Sequence, residues 1–175
     1  MDLKDSLLEE HSKAQTLLIV DHIGKSKKRF ADLMDIFFAN EHVVTARAAW
    51  VVSYIADAHP ELVKPYLDQM IENLRRPVQD AVKRNTLRLL QEIEITDDQT
   101  GHALDLCFPF MADPNEPAAV RAYAMTICHR ICKTEPALAP ELKLVIESCF
   151  NSSPAAFKSR GRKFLKELDK MIENH

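Results

Sequence analysis

Glycine is scarce: three residues in a chain of 175. That excludes a fold built on many tight hairpin turns, and it excludes the glycine-rich loops that cradle phosphates. Tryptophan occurs once, and aromatic residues make up 7%. No run of apolar residues reaches the length of a membrane span. A large excess of charge of one sign is missing too. Lys and Arg number 23 against 26 Asp and Glu, so the net charge of −3 lacks the basic excess expected of a nucleic-acid or membrane-surface protein. Met1-Asp2-Leu3-Lys4-Asp5 does not have the basic-then-apolar order of a secretory signal. The cysteines are Cys107, Cys128, Cys132 and Cys149, expected to be reduced in a cytoplasmic protein.

What is present is helix signal, repeated. Leu3, Leu7, Leu8, Leu17, Leu18 and Ile23 predict a leading amphipathic helix over 1–24, with Asp5 or Ser6 as cap and Gly24 as its stop. Lys25 to Arg29 is a basic link. Phe30, Leu33, Met34 and Phe37 then fall at i, i+3, i+4 and i+7, one face of a helix. Further helices are predicted from Val43 toward His59, over 61–76, through Val82, Leu87, Leu90 and Ile93, from Thr96 through Met111, through Val120, Ala124, Ile127 and Ile131, and near 138–150 and 154–173. Pro77 is placed in the first turn of its helix, where a missing N–H costs nothing. Asp113-Pro114-Asn115-Glu116-Pro117 is the clearest turn.

These segments repeat with a period of 37 residues. Leu33, Met70, Cys107 and Leu144 fall in register. So do Met34, Ile71, Phe108 and Val145. In the second helix of each pair, Arg47, Arg84, Arg121 and Lys158 form a column of cations, and Asn40, Pro77, Pro114 and Asn151 mark the turns. Helix pairs of this kind cannot bury their apolar faces alone, so neighbours stack into one core. The expected architecture is all-α: about nine antiparallel helices in a single repeat domain over 1–175, with 1–24 as a cap helix and 27–173 as about four helix pairs.

Residues 27–173 resemble the HEAT and armadillo-like repeat class. The resemblance lies in the period, the apolar first helix, and second helices reading Thr45-Ala46-Arg47-Ala48, Val82-Lys83-Arg84-Asn85 and Ala119-Val120-Arg121-Ala122. It implies an α-α superhelix, a solenoid whose second helices line a concave, partner-binding side. In that class an acidic residue near the turn often pairs with the arginine. The position six before each cation is Glu41, Val78, Asn115 and Ser152, so one of the four is acidic. The fold carries no common chemistry, and function has to come from the site.

The cation column has two readings. Stacked second helices would set Arg47, Arg84, Arg121 and Lys158 roughly 10 Å apart, a row that meets an acidic protein or peptide, with His129 and Arg130 as neighbours. Tyr54, Tyr66 and Tyr123 would serve as anchors where exposed. In the other reading the cations tie down helix ends inside the repeats. The expected function is a non-catalytic scaffold for a protein or peptide partner, without cofactor, metal or membrane, and with a dimer possible through the solenoid ends. The alternative is nucleic acid or a phosphate-bearing ligand on a basic concave or C-terminal face. Lys158, Arg160, Arg162, Lys163, Lys166 and Lys170 concentrate positive charge there, and HEAT-like DNA-repair glycosylases use such a face.

Two motifs bear on chemistry. Cys128-His129-Arg130-Ile131-Cys132 puts both cysteines on one helix face, but His129 points about 100° from Cys128, which predicts core cysteines rather than a metal site. The seven histidines, His11, His22, His42, His59, His102, His129 and His175, show no ligand spacing. Asn151-Ser152-Ser153-Pro154-Ala155-Ala156-Phe157-Lys158 is similar to the Ser-Ser-x4-Lys part of the signature loop of the fumarase and adenylosuccinate lyase superfamily. The match covers Ser152, Ser153 and Lys158 and implies, as a remote alternative, a lyase-like enzyme.

Overall fold

The computed structural model describes residues 1–174; His175 lies outside the described residues. The described residues form helices and no strand, as the periodicity predicts. Two compact units are present, Met1–Glu94 and a second from Ile95 onward.

The first unit holds α1 (Leu3–Glu9), α2 (Lys13–Ile23), α3 (Lys27–Phe38), α4 (His42–Ala58), α5 (Pro60–Val63), α6 (Leu67–Asn73) and α7 (Asp80–Leu90). The leading segment is thus two helices, not one. Glu10 is extended, and the Ser12 side chain accepts from the Gln15 N–H to start α2, while Asp2 caps α1. Gly24 closes α2 at φ +50°, a conformation that a side chain disfavours. The 61–76 segment is also interrupted. Lys64–Tyr66 tightens into a 3-10 turn at Pro65, which has no N–H to give and crowds the carbonyl four residues back. These two breaks turn the expected nine elements into eleven α-helices among the described residues. Pro77 lies in the link before α7 rather than in its first turn. At the centre of this unit is α4, against which α1, α2, α3, α5 and α7 pack. Its Ala48, Ala49, Val52 and Ile55 are fully enclosed.

The second unit holds α8 (Asp97–Ala112), α9 (Ala118–Cys132), α10 (Ala139–Phe150) and α11 (Ala155–Glu173). Thr96 and Gln99 cap α8 reciprocally: each side chain satisfies the other's backbone N–H. Here α9 is central, packed by α8, α10 and α11. Gly161 lets α11 approach α10 closely, since a Cβ there would stand 3.2 Å from the Phe150 ring.

Burial shows where the 37-residue period holds and where it slips. In the second helices, and at Ile93 just past the end of α7, four columns are buried throughout: Thr45, Val82, Val120 and Phe157; Ala49, Thr86, Ala124 and Gly161; Val52, Leu89, Ile127 and Phe164; Ala56, Ile93, Ile131 and Leu168. The step from the second member to the third is one residue longer than the other two steps. The first helices slip as well. Leu33, Met70 and Cys107 are core, but Leu144, the fourth member of that column, is 66% exposed; α10 instead buries Leu142, Ile146 and Cys149.

Candidate functional site

The slip divides the cation column. Arg47 and Arg84 follow the buried positions Thr45 and Val82 by two residues, whereas Arg121 and Lys158 follow Val120 and Phe157 by one. One residue on a helix is a rotation of about 100°. The two pairs therefore occupy different faces of their helices, and the expected single row of four is not what the backbone builds.

Arg121 is 2% exposed. Its Nε donates to the Met111 carbonyl at 2.9 Å, in the last turn of α8, and its Nη2 donates to Ser153 Oγ at 2.8 Å. The guanidinium also stands 4.8 Å from the centre of the Phe157 ring. Of the two readings of the column, Arg121 fits the one in which the cation ties down helix ends: buried, it joins α8, α9 and the α10–α11 turn. A buried guanidinium is tolerated because a carbonyl, a hydroxyl and a π face replace its water. Lys158, one turn into α11, is half-buried and forms no ion pair among the described residues.

His129 is likewise interior. Its ring stacks on Phe164 at 3.9 Å with planes 6° apart. Nε2 comes within 3.0 Å of Glu167 Oε2, but off the direction of a proper hydrogen bond, so the contact is electrostatic. Burial lowers the His129 pKa, Glu167 opposes that, and Lys133 and Lys163 add to it. Arg130 is half-buried on the same helix. His129 thus anchors α11 to α9, together with Arg160, which donates to the Ala122 carbonyl and to Thr126 Oγ1, both at 2.9 Å.

The Ser-Ser-x4-Lys segment is committed in the same way. Ser153 Oγ accepts from Arg121 and donates to the Cys149 carbonyl at 2.6 Å, so its proton and a lone pair are both used. Ser152 donates to the same carbonyl at 3.2 Å. The two serines satisfy the exposed end of α10 and hold Arg121. The cysteines are buried and unpaired. Contact with Cys107 and burial push the Cys128 thiol well above its ordinary pKa, and burial takes Cys132 up to about 11. Thiols held protonated are poor nucleophiles and poor ligands, and no group of three or more His, Cys, Asp or Glu among the described residues is placed to hold a metal ion.

Arg47 and Arg84 are different. They line one cleft of about 220 Å3 in the first unit, between the N-terminal turns of α4 and α7. His11, from the α1–α2 link, and His42 and Trp50, from α4, complete its polar and aromatic walls; Val43, Ala46 and Ala81 are the apolar part. Small residues at 46 and 81 leave the gap between the helices. Arg47 is half-buried and donates to the Leu7 carbonyl at 2.7 Å, at the end of α1. Glu41, the acidic residue six before it, pairs instead with Lys4 at 2.6 Å. Arg84 is exposed and makes no hydrogen bond or ion pair among the described residues. A guanidinium with five unused donors, beside a second one fixed in place, suits a carboxylate or another oxyanion.

An aromatic line runs from the cleft along α4. His11 meets Trp50 edge-on at 5.3 Å, Trp50 leans on Tyr54 at 6.0 Å, and Arg88 lies 5.8 Å over Tyr54 while bonding Asp57 at 2.7 Å. The half-buried Trp50 and Tyr54 offer flat apolar area next to the cations. The sequence held this signal in the i, i+4 spacing of Trp50 and Tyr54; what it did not show is that α7 brings Arg84 alongside. A second cleft of the unit, about 320 Å3 and lined by Phe38, Asp68, Glu72 and Arg76 among others, mixes both charges and gathers no such set.

No helix of the described residues is long and apolar enough to cross a membrane. No curated protein and no solved structure matches the chain. A family model described as the HEAT repeat domain matches residues 3–168. With that match spanning nearly the whole length and the buried columns recurring in every helix pair, the chain belongs to the HEAT repeat family.

Proposed function

We propose that this HEAT-repeat protein is a non-catalytic scaffold of the cytoplasm that binds a protein or peptide partner through the face of its second helices carrying Arg47 and Arg84. The observation that carries the reading is Arg84: exposed, without a partner among the described residues, and on the rim of a cleft shared with Arg47 and Trp50. The partner segment is acidic. One carboxylate sits between the two guanidinium groups, and an apolar or aromatic neighbour lies on Trp50. HEAT repeats typically serve protein interactions, and the family match running across both units supports one repeat domain. The four unpaired, buried cysteines support a reducing compartment. Stacked helices present preformed area, so little ordering entropy is lost on binding.

The test is a display selection of random peptides on the immobilised full chain. Enriched sequences should carry Asp or Glu beside an aromatic residue. Their binding should fall at least ~10-fold with Arg84→Glu, since like charge opposes the carboxylate, and should persist with Lys166→Glu on α11. Enrichment of sequences without acidic residues, or equal binding to the Arg84→Glu variant, overturns the reading.

A further inference from the structure

The strongest charge pattern outside the cleft lies on α11. Phe157, Gly161, Phe164 and Leu168 face inward, and the opposite side exposes Arg162, Lys163, Lys166 and Lys170 along one stripe. None of these four forms an ion pair among the described residues; Arg162 lies 5.7 Å from the centre of the Phe150 ring. Ile172 on α11 and Leu144 on α10 are 36% and 66% exposed. The α1–α2 pair shows the opposite sign. Asp5, Glu9, Glu10 and Asp21 are exposed there, and Leu8, Leu17 and Leu18 stand 46%, 41% and 57% exposed among them. Lys4, the basic residue within α1, is already held by Glu41.

We infer that the α1–α2 pair of one molecule docks on the α10–α11 pair of another, joining copies of this chain head to tail. The occupant of the basic stripe is then a second copy. Charge complementarity supports it: a stripe of four cations without ion pairs meets a helix pair that exposes Asp5, Glu9, Glu10 and Asp21 against the single exposed Lys13 of α2. Large apolar side chains stand exposed on both pairs, and burying them together supplies area that charges alone do not. Helix pairs that stack within each unit use the same kind of packing between molecules. Because the two surfaces differ, the contact is heterologous and extends to further copies unless it closes into a ring. A nucleic acid competes for the same cations, but the net charge of −3 and the acidic α1–α2 face oppose a polyanion. The inference stands apart from the cleft at Arg47 and Arg84.

The experiment is sedimentation velocity of the full chain across a wide concentration range, at low and at high salt. Mass should rise with concentration at low salt and fall back at about 0.5 M salt, where surface charges are screened. Lys163→Glu with Lys166→Glu should weaken association roughly 10-fold or more. Asp5→Lys with Glu9→Lys should do the same, and mixing the two double variants should restore it. All four positions are exposed, and circular dichroism checks that the helices persist. A chain that stays monomeric at every concentration, or association that ignores both double variants, overturns the inference. So does a monomer whose stripe retains a single-stranded oligonucleotide, which would assign the cations to nucleic acid.

Discussion

Replacing Arg121 by Ala should cost far more stability than replacing Arg84, although the two align in a 37-residue period. Arg121 is 2% exposed, bonds the Met111 carbonyl and Ser153 Oγ, and lies against Phe157. Truncation removes two charge-assisted hydrogen bonds, each worth about 1.5–3 kcal/mol. It leaves the Met111 carbonyl unpaired in the interior, opens a cavity beside Phe157 and loses the stacking of the guanidinium. Relief from desolvating a charge offsets part of this, so the net loss is about 3–5 kcal/mol, as when one partner of a buried polar set is removed. Arg121→Lys keeps the charge but cannot hold two acceptors in the plane of a guanidinium, and should lose about 2 kcal/mol. Arg84→Ala should stay within about 0.5 kcal/mol, being exposed and unpaired. The assay is urea unfolding followed by helical circular dichroism, with fluorescence of Trp50 reporting on the first unit separately. An Arg121→Ala loss below about 1 kcal/mol, or an Arg84→Ala loss as large as that of Arg121→Ala, would refute the reasoning.

Other positions test the same packing. Leu142→Ala should cost about 2–5 kcal/mol because Leu142 is fully buried, whereas Leu144→Ala should cost under about 0.5 kcal/mol; thermal melts of the pair locate the slip in α10. Gly101→Ala, with open space around the added Cβ, should stabilise α8 by about 0.5–1 kcal/mol, while Gly161→Val, pressed on Ile146 and Phe150, should destabilise by about 1–3 kcal/mol in chemical denaturation. His129 has its pKa lowered, chiefly by burial, so the folded state binds its proton less readily than the unfolded state. Its stabilising contribution is complete above the ordinary value near 6.5 and is lost as pH falls through it toward the folded value. Between pH 7 and 5 the wild type should therefore lose more stability than His129→Phe, which keeps the stack on Phe164 and does not titrate.

The helices were legible because their signals are local. Apolar spacing, Ser and Thr caps, and proline links mark nearly all of them, and the repeat made the family resemblance readable. The two interruptions were less so. Glu10 to Ser12 carries no proline or glycine, and Pro65 sits inside a segment whose apolar stripe continues past it. The period itself misled at one point. A register of residue classes tolerates a shift of one, because i, i+3 and i+4 are all neighbours on a helix. Burial does not tolerate it, since one residue turns the side chain by about 100°. Arg121 therefore reads like Arg84 in sequence but serves the interior, and Leu144 reads like Leu33 but faces solvent. Ser153 resembles part of a lyase loop in sequence, yet its contacts are those of a helix end and a buried arginine. The cleft was half visible, in Arg47, Arg84 and Trp50. His11 and His42 enter it only through the α1–α2 break and the packing of α1 on α4, which are tertiary facts.

The most direct measurement is arginine footprinting of the folded chain with phenylglyoxal, read peptide by peptide in a mass spectrometer. The account predicts that Arg84 is modified early, that Arg47 lags because one amino group is tied to the Leu7 carbonyl, and that Arg121 reacts only once the protein is unfolded. An acidic peptide from the selection should shield Arg84 and leave the α11 cations unchanged. Modification of Arg121 in the folded protein at a rate comparable to Arg84 would contradict the division of the cation column, and with it the placement of the binding face.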